Sequence, residues 1–452
     1  MNEDGQISGT RLAIVGIVIA AIVVASVSTY FVTKGGEEKK KPVLQYWNTM
    51  SDTEQGMKML REKLVPIVEK NVPEIRLKDY FGPGKYEKEK KQFLIAAKSG
   101  VPDVQEQVYA VYGTLVDQGL IMPITERFNN WDKSDEFYDW TIDAMKIKGE
   151  IWGVPHQTNV RCLAYRKDIL EKYGLSVPKT WSELVEVAST ITEKEEGMQG
   201  LALTTKQGDV RACQEFQAWF YAATDHRMFK RSGDKWTLWG TEEDFKKVFE
   251  LYHAVLNADP PGFKKEGLGN GYPETDRGLL RGKYAMAHMG PWLPFWAQGK
   301  PENSVMKQTL DEIAVAPLPQ PEGSTDVVGS YAETKAYVIN KYTKHPDKTW
   351  ELITEGLENP EWRTQVTLTN FQLPARKDIA NKPKIMKHEW LKPWSTRVKE
   401  DRGIVPAPIN WGPVKEEMYK NISAVCQEVK TPQKAASDFV TAVEQLVKKE
   451  EI

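Results

Sequence analysis

Residues 149–181 constrain the fold of this chain more than any other stretch, because several local signals follow one another there. A polar, irregular opening at 149–159 leads into an apolar run at 160–165 that predicts a short strand. A helix is predicted over 168–173, and Gly174 ends it where a left-handed residue costs least. Thr180 and Glu183 then have the spacing of a capping box, which starts another helix. This order predicts an α/β unit.

The chain before this stretch alternates between strand and helix patterns. Residues 43–47 and 75–81 predict strands, while 57–67 and 86–99 predict helices, the second closed by Gly100. Such alternation favours a mostly parallel sheet covered by helices. Because 452 residues are too many for one hydrophobic core, we expect two globular lobes.

The residues that carry these signals also have a familiar order and spacing. They resemble the segment in which the chain crosses between lobes in the extracellular solute-binding proteins of ABC importers, the sugar-binding family that includes the maltose-binding protein. The matching residues are Gly149, Gly153 and Pro155; Leu163, Tyr165, Lys167, Asp168 and Ile169; Gly174, Leu175, Pro178, Thr180, Trp181 and Glu183.

Further matches extend the resemblance over about residues 42–450. Residues 282–292 resemble a family pattern whose tryptophan stacks on sugar, with Gly282, Gly290 and Trp292 in the matching places. Residues 329–340 resemble the second crossing between lobes. Residues 371–376 resemble the third crossing, although Phe371 stands where a glycine is common.

The resemblance implies an α/β, two-lobed periplasmic-binding-protein-like fold with a ligand cleft between discontinuous lobes. We expect one lobe to comprise 42–158 with 331–376, and the other to comprise 159–330 with 377–452. It also implies a sugar, by preference an oligosaccharide, as ligand, and the permease subunits of an ABC transporter as partners. No cofactor and no catalysis are expected.

The N-terminus predicts a membrane anchor. A short polar tail, 1–11, precedes an uncharged apolar run at 12–32, which at about 1.5 Å per residue is long enough to cross a bilayer. A charged linker follows at 33–41. Its lysines alone would favour a cytoplasmic body, whereas the resemblance implies a body outside the cell, anchored to the cell membrane in the manner of archaeal relatives. We expect the second arrangement.

Composition excludes other classes of function. The formal net charge of −2 gives no basic excess that would indicate nucleic-acid binding. The six histidines have no metal-site spacing, so no metal is expected. The three cysteines are too few for a disulfide framework, although Cys162 and Cys213 could form one bridge.

Carbohydrate recognition needs flat aromatic faces for the apolar side of a sugar ring and planar polar groups for its hydroxyls. Such side chains are expected in loops at strand ends, in the crevice between lobes. The predicted ligand-binding residues are Trp47, Asp52, Gln107, Tyr109, Asn159, Gln217, Asp276, Trp292, Tyr331, Arg376 and Trp411. No residues in this set have the pattern of a binding site for a phosphate or carboxylate group. The set therefore favours a neutral ligand.

Other functions remain compatible with the sequence. The two carboxylates of an extracellular glycoside hydrolase could be present among 63 acidic residues, because their separation cannot be read from the sequence. An anchored sensor with a binding-protein fold would explain the N-terminus equally well. Within the resemblance, the ligand could also be a polyamine or a short peptide.

Overall fold

The structure is a computed structural model that describes residues 41–84, 86–224, 226–232, 235–324, 331–399 and 411–448. The chain divides into a unit Met1–Pro42 and a unit Val43–Ile452, and the second contains all the strands and helices described below. The predicted tail, anchor and linker, up to residue 40, lie outside the described residues. Within the described part, no helix is long and apolar enough to cross a membrane.

The strands and helices are numbered in chain order. The strands are β1 Val43–Leu44, β2 Tyr46–Trp47, β3 Arg76–Leu77, β4 Val104–Val108, β5 Lys146–Ile147, β6 Glu150–Ile151, β7 Val154–Val160, β8 Cys162–Arg166, β9 Gln199–Ala202, β10 Phe229–Ser232, β11 Lys235–Leu238, β12 Tyr284–Met289, β13 Ile313–Ala316, β14 Ala332–Ile339 and β15 Leu373–Pro374. The helices are α1 Glu54–Met59, α2 Val65–Asn71, α3 Tyr86–Ala96, α4 Tyr109–Asp117, α5 Thr125–Asn129, α6 Asp139–Asp143, α7 Lys167–Lys172, α8 Trp181–Lys194, α9 Val210–Ala223, α10 Glu242–Asn257, α11 Tyr272–Leu280, α12 Leu293–Ala297, α13 Val305–Asp311, α14 Pro346–Glu351, α15 Pro360–Asn370, α16 Lys377–Ala380, α17 Pro383–Met386, α18 Lys392–Lys399, α19 Trp411–Cys426 and α20 Pro432–Lys448.

Two sheets organise this fold. The first has the strand order β15-β7-β14-β4-β2, and the second has the order β13-β8-β12-β9. Only Arg161 separates β7 from β8, so the chain passes from one sheet to the other within a single residue. The chain returns to the first sheet at β14 and again at β15. The result is the mixed α/β, two-lobed architecture that the sequence predicts.

The prediction of mostly parallel sheets is wrong. Parallel pairing occurs between β2 and β4 and between β9 and β12, whereas β7, β14 and β15 pair antiparallel with their neighbours, as do β8 and β13 with theirs. The crossings explain this outcome. A strand that leaves a sheet and a strand that returns to it run in opposite directions, and β7 and β14 lie side by side.

The prediction of an irregular opening at 149–159 is also wrong, because residues 154–160 form strand β7. This strand is hydrogen-bonded to β14 on one side and to β15 on the other, and all of its residues are buried. Its backbone groups are therefore satisfied by two neighbours, which outweighs the polar composition of Gln157, Thr158 and Asn159. These polar side chains are carried into the interior by the strand.

Helices cover both sheets, and most residues of the apolar interior belong to one large cluster. A smaller cluster forms where the chain crosses between sheets, around Val160, Cys162, Ala332 and Trp394. Helix α18 packs on β7 there. The C-terminal helices α19 and α20 pack instead against α10, beside the second sheet.

Local signals from the sequence are largely confirmed. Gly174 has a φ of 65°, and Thr180 with Glu183 forms the predicted capping box at the start of α8. Phe371 ends α15 in the left-handed region with a φ of 57°, a conformation that favours glycine. Of the strand predicted over 75–81, only β3 pairs with a neighbour.

The possible bridge between Cys162 and Cys213 is not formed, because neither cysteine is disulfide-bonded, and Cys426 is not disulfide-bonded either. All three thiols are buried. Cys162 lies on β8 and Cys213 on α9, and burial raises the pKa of the Cys213 thiol to about 12. Such a thiol behaves as a small apolar side chain.

We predict that Gly200→Ala lowers the free energy of unfolding by about 2–3 kcal/mol, because β9 lies directly against α8. A Cβ at Gly200 would lie 2.1 Å from the carbonyl oxygen of Ala188, so the backbone would have to shift. Urea unfolding followed by circular dichroism measures the change. Gly412→Ala is the control, since no atom lies within 4 Å of its added Cβ; equal stability of the two variants would contradict the prediction.

Candidate functional site

The site is built around Arg161, the residue between the two sheets. Its side chain is buried, and Nη2 donates to Oε1 of Gln214 at 2.9 Å and to Oε1 of Glu333 at 3.1 Å. Its backbone N–H donates to the carbonyl oxygen of Tyr331 at 2.8 Å. Arg161 therefore connects the first crossing, the start of β14 and helix α9.

Glu333 is the common acceptor of this group. Besides Arg161, its carboxylate accepts hydrogen bonds from Nε2 of Gln214 at 2.6 Å, from Nδ2 of Asn159 at 3.3 Å and from the hydroxyl of Tyr331 at 3.4 Å. Asn159 and Glu333 face each other across the β7–β14 pair. We call these five residues, Asn159, Arg161, Gln214, Tyr331 and Glu333, the crossing cluster.

Helix α9 presents further polar groups to the same region. Arg211, Gln214 and Gln217 recur at three-residue intervals, so they lie along one side of the helix. All three are buried. Nη1 of Arg211 donates to Oδ1 of Asp276 at 2.9 Å and completes a second buried ion pair.

Trp292 lies between these two ion pairs. The guanidinium carbon of Arg161 is 4.1 Å from the centroid of its indole ring, and that of Arg211 is 4.7 Å away. The indole Nε1 donates to Oδ2 of Asp276 at 2.8 Å. A Cβ at Gly290 would lie 1.8 Å from the indole, so this position accepts no side chain. The absence of a side chain at Gly290, two residues before Trp292, allows the ring to fold back over the strand end.

Further polar groups line a small recess on the first sheet. Glu106 is one of its lining residues and accepts hydrogen bonds from Thr49 at 2.8 Å, Asn48 at 3.0 Å and Lys335 at 3.1 Å. His156 contacts the same carboxylate at 3.3 Å. Although burial opposes ionisation, Lys335 and His156 hold the pKa of Glu106 well below its usual range.

Charges in the site are balanced. Arg161, Arg211 and Lys335 are matched by Glu333, Asp276 and Glu106. Burial lowers the pKa of His156 to about 4, so the imidazole is neutral at pH 7. Burial likewise lowers the pKa of Arg161 to about 10, which leaves it charged at neutral pH. The six charges thus sum to zero.

Several buried polar atoms on β4, on β7 and at Arg161 have no hydrogen-bond partner among the residues that the structure describes. They are Oδ1 of Asn159, Nε and Nη1 of Arg161, and the Nε2 atoms of Gln107 and Gln157. Buried groups of this kind are normally satisfied. Both donors and acceptors are present, which is the combination that sugar hydroxyls require.

Four of the predicted site residues belong to this connected region: Asn159, Tyr331, Asp276 and Trp292. Gln217 lies on the same side of α9, and Gln107 is buried on β4. Asp52 is exposed in the turn Thr49–Asp52, after β2.

The remaining predicted residues have other surroundings. Trp47 is buried edge-on against Tyr80, and Trp411 packs in the same way against Phe229, so both contribute to the apolar interior. The guanidinium of Arg376 binds the Asp378 carboxylate at 2.7 and 3.1 Å and the Glu358 carbonyl at 2.8 Å. Tyr109 begins α4, and its side chain lies outside the described residues.

Arg161, Glu333, Arg211, Gln214, Glu106 and Lys335 were not predicted. The sequence carried one usable signal for three of them. Arg161 interrupts an apolar run predicted to be a strand, and Glu333 and Lys335 lie in the segment that resembles the second crossing. A charge inside a buried strand needs a partner, so these residues could have been expected to pair. Arg211, Gln214 and Glu106 had no comparable signal.

No group of histidine, cysteine, aspartate or glutamate side chains within the described ranges could hold a metal ion. The contacts described in the site are hydrogen bonds, ion pairs and contacts with aromatic rings.

Comparison with known sequences identifies relatives. Residues 52–360 match the family described as bacterial extracellular solute-binding protein. A protein of Brucella abortus named as a binding protein is 22% identical over 59% of this chain and 60% of its own length. A protein of Sinorhizobium fredii, named as an amino-acid ABC transporter periplasmic-binding protein, is 23% identical over 69% of this chain and 68% of its own. The chain thus spans about 60% of the length of the Brucella relative.

Solved structures share the fold over nearly the whole chain. The GacH receptor of Streptomyces glaucescens, which has been solved with acarbose, superposes with a TM-score of 0.74 at 19% identity, covering 91% of this chain and 99% of its own. The maltose-bound MalE3 of T. maritima gives 0.70 at 18% identity, covering 91% and 98%.

We predict that stability falls between pH 6.5 and 8 partly because of Glu215, which lies beside the site on α9. Burial raises the pKa of this carboxyl to about 8, so the folded state holds a proton that the unfolded state has released above about pH 4.5. That contribution to stability is complete below pH 4.5 and is lost as pH rises through 8. His156, whose pKa is lowered to about 4, affects the pH dependence of stability only between about pH 6.5 and 4.

Glu215→Gln removes this titration, so its stability relative to wild type should improve as pH rises from 6 to 8.5. Urea unfolding at a series of pH values measures the difference. The exposed Glu62 provides the control variant, Glu62→Gln. A difference between Glu215→Gln and wild type that stays constant over this range would show the prediction to be wrong.

Proposed function

The chain belongs to the bacterial extracellular solute-binding proteins, and we propose that it is the receptor of an ABC importer that captures a sugar and delivers it to a membrane permease. The observation that carries this proposal is the crossing cluster with its neighbours. Buried donors and acceptors without partners in the described residues occur at Gln157, Asn159 and Arg161, on and beside the first crossing. An oligosaccharide is the preferred ligand, and relatives of the same fold have been solved with acarbose and with maltose.

The ligand would be neutral. A phosphate or carboxylate would require a surplus of cationic groups, but each buried cation in the site already has a carboxylate partner. Sugar hydroxyls instead need a mixture of donors and acceptors. Asn159, Arg161 and Gln157 offer such a mixture on and beside the first crossing.

We assign the lobes as 42–158 with 331–376 and 159–330 with 377–452, joined by three crossings. Two hydrogen bonds join residues of the assigned lobes: Nε2 of Gln298 donates to the Thr369 carbonyl at 2.5 Å, and Nη1 of Arg231 donates to the Lys146 carbonyl at 2.8 Å. A ligand that touches both lobes would favour this arrangement over an open one, because only here can it contact both at once. The closed, loaded protein would then dock on the permease.

The family is extracellular, and we propose that residues 12–32 anchor the body to the outer face of the cell membrane. An anchor would hold the receptor near the permease and raise its effective concentration there. The protein would bind its ligand without altering it, as expected of a transport receptor and not of a hydrolase.

A screen of the full-length protein tests the proposal. A sugar at 100 times its dissociation constant should stabilise the fold by about 2.7 kcal/mol, which a thermal-shift assay detects. The screen compares mono- and oligosaccharides with polyamines, amino acids and short peptides, and the sugar is recovered afterwards. Recovery of the intact sugar is expected. Cleavage would indicate a hydrolase, and a response confined to a non-sugar class would contradict the proposed ligand.

Trp292→Ala should weaken binding of that sugar by about 1–3 kcal/mol. The substitution removes the ring that lies against Arg161 and Arg211 and the N–H that Asp276 accepts. Isothermal titration calorimetry measures the affinity. Trp239→Ala is the matched control, because Trp239 is 45% exposed and contacts His226 and Lys230 instead. Unchanged affinity in Trp292→Ala would exclude this residue from the site.

A further inference from the structure

A buried carboxyl group lies under loop 80–84, in a part of the first sheet that the site described above does not use. Glu89 is on helix α3 and is only 1% exposed. Its Oε1 accepts a hydrogen bond from the backbone N–H of Gly84 at 3.3 Å. Its Oε2 has no hydrogen-bond partner among the residues that the structure describes. A buried carboxyl group that lacks strong donors is more stable when it is uncharged.

Loop 80–84 is hydrogen-bonded to the turn that follows β2. The backbone N–H of Asn48 donates to the Phe81 carbonyl at 2.9 Å. The hydroxyl of Ser51 donates to the Gly82 carbonyl at 3.3 Å. The loop therefore supports the backbone of the turn at two places.

Two glycines let the loop approach this turn closely. Gly82 and Gly84 have φ values of 93° and 79°, in the left-handed region that favours glycine. A Cβ at Gly82 would lie 2.9 Å from the Cβ of Trp47 and 3.0 Å from Oε1 of Glu89. A Cβ at Gly84 would lie 2.4 Å from the backbone nitrogen of Asp52. With so little space between them, the loop and the turn have to move together.

The turn carries groups that line the recess beside the proposed sugar site. Asn48, Thr49 and Met50 are among the lining residues of this recess. Thr49 and Asn48 donate to the carboxylate of Glu106 at 2.8 and 3.0 Å. A continuous series of contacts thus leads from Glu89 through loop 80–84 to the recess.

The charged groups that act on Glu89 come from three elements. Burial raises the pKa of Glu89 to about 8, and the carboxylate of Glu106 on β4 raises it further, whereas the Gly84 N–H and Lys335 on β14 oppose the rise. Lys335 is bound to Glu106 at 3.1 Å. Tyr80, in the loop, has a pKa that burial and the charge of Glu89 both raise, so its phenol stays neutral at pH 7. Ionisation of Glu89 would place a second negative charge beside Glu106.

We propose that Glu89 is a positioning residue for the proposed sugar site, because it supports loop 80–84 and, through this loop, the turn that carries Asn48 and Thr49. It does so as the neutral acid. As a carboxylate it would move away from Glu106 and towards water, and the loop above it would shift. The inference rests on the proposed function and deepens it, since sugar binding then depends on one buried proton.

Calorimetric titrations of the full-length protein with maltotriose and with mannotriose, at pH 7 and pH 9, test the inference. For the sugar that binds, wild-type affinity should fall about tenfold from pH 7 to pH 9, because about a tenth of the molecules keep a proton on Glu89 at pH 9. Glu89→Gln keeps an uncharged group of similar shape, so its affinity should fall less than twofold over the same range. The exposed Glu62 provides the matched control, and Glu62→Gln should show the wild-type fall. Thermal unfolding at both pH values checks that each variant folds.

Hydrogen exchange measured by mass spectrometry provides a readout that needs no sugar. The peptide that covers loop 80–84 should exchange equally in wild type and Glu89→Gln at pH 7, and faster in wild type than in Glu89→Gln at pH 9. In Glu89→Ala, which lacks the acceptor for Gly84, it should exchange faster than in wild type at pH 7. Strand β9 of the second sheet is the internal reference and should exchange equally in all three proteins at each pH.

The outcomes separate this inference from the proposed function. An equal fall in affinity for wild type and Glu89→Gln would overturn the inference and leave the proposed function standing. Equal exchange of loop 80–84 in wild type and Glu89→Gln at pH 9 would also overturn it, whether or not a sugar binds. Failure of the wild type to bind either sugar would count against the proposed ligand, while the exchange measurement would still decide whether the proton on Glu89 supports the loop.

Discussion

The buried ion pair between Arg161 and Glu333 is the interaction on which the site depends. Neither charge is exposed to water, so each needs the other and the amides around them. Removing either partner would leave an unpaired charge in the interior, which costs several kcal/mol in proteins of this kind. Because Arg161 lies between β7 and β8 and Glu333 lies near the start of β14, the pair also ties two crossings together. The same contact therefore positions the backbone of the crossings, helix α9 and the proposed binding groups.

The second ion pair, between Arg211 and Asp276, is likewise buried and joins helix α9 to helix α11. The two pairs share Trp292, whose ring lies against both guanidinium groups. The electrostatic cost of burying four charges is offset by pairing, by amide hydrogen bonds and by the indole. A rigid, neutral surface results, with its remaining donors and acceptors already fixed in direction. Preorganisation of this kind reduces the entropy lost when a ligand binds.

Much of the fold could be predicted from the sequence, whereas only part of the site could. Helix ends such as Gly174 and the Thr180 cap are set by adjacent residues, so local reasoning finds them. The direction of β7 beside β14, and the strand character of 154–160, depend on pairing partners almost two hundred residues away. Trp292 and Asn159 were predicted as site residues through motif resemblance, and the structure places both in the connected polar region. Glu333 and Arg161 could not be predicted because their role depends on the ion pair between them, which joins distant parts of the chain. For Trp47 and Trp411, an aromatic side chain is compatible both with interior packing and with a binding surface, so the sequence could not decide between the two.

Phe371 makes the backbone of the third crossing stiff. A glycine at this place could exchange between left- and right-handed backbone at little cost, whereas a phenylalanine held at a φ of 57° has few alternatives. Its ring also packs on the small cluster at the crossings and meets that of His388 edge-on. The link between α15 and β15 is therefore stiff. Because α15 and β15 follow each other within the segment 331–376, this single residue fixes the direction in which the helix leaves the edge of the first sheet.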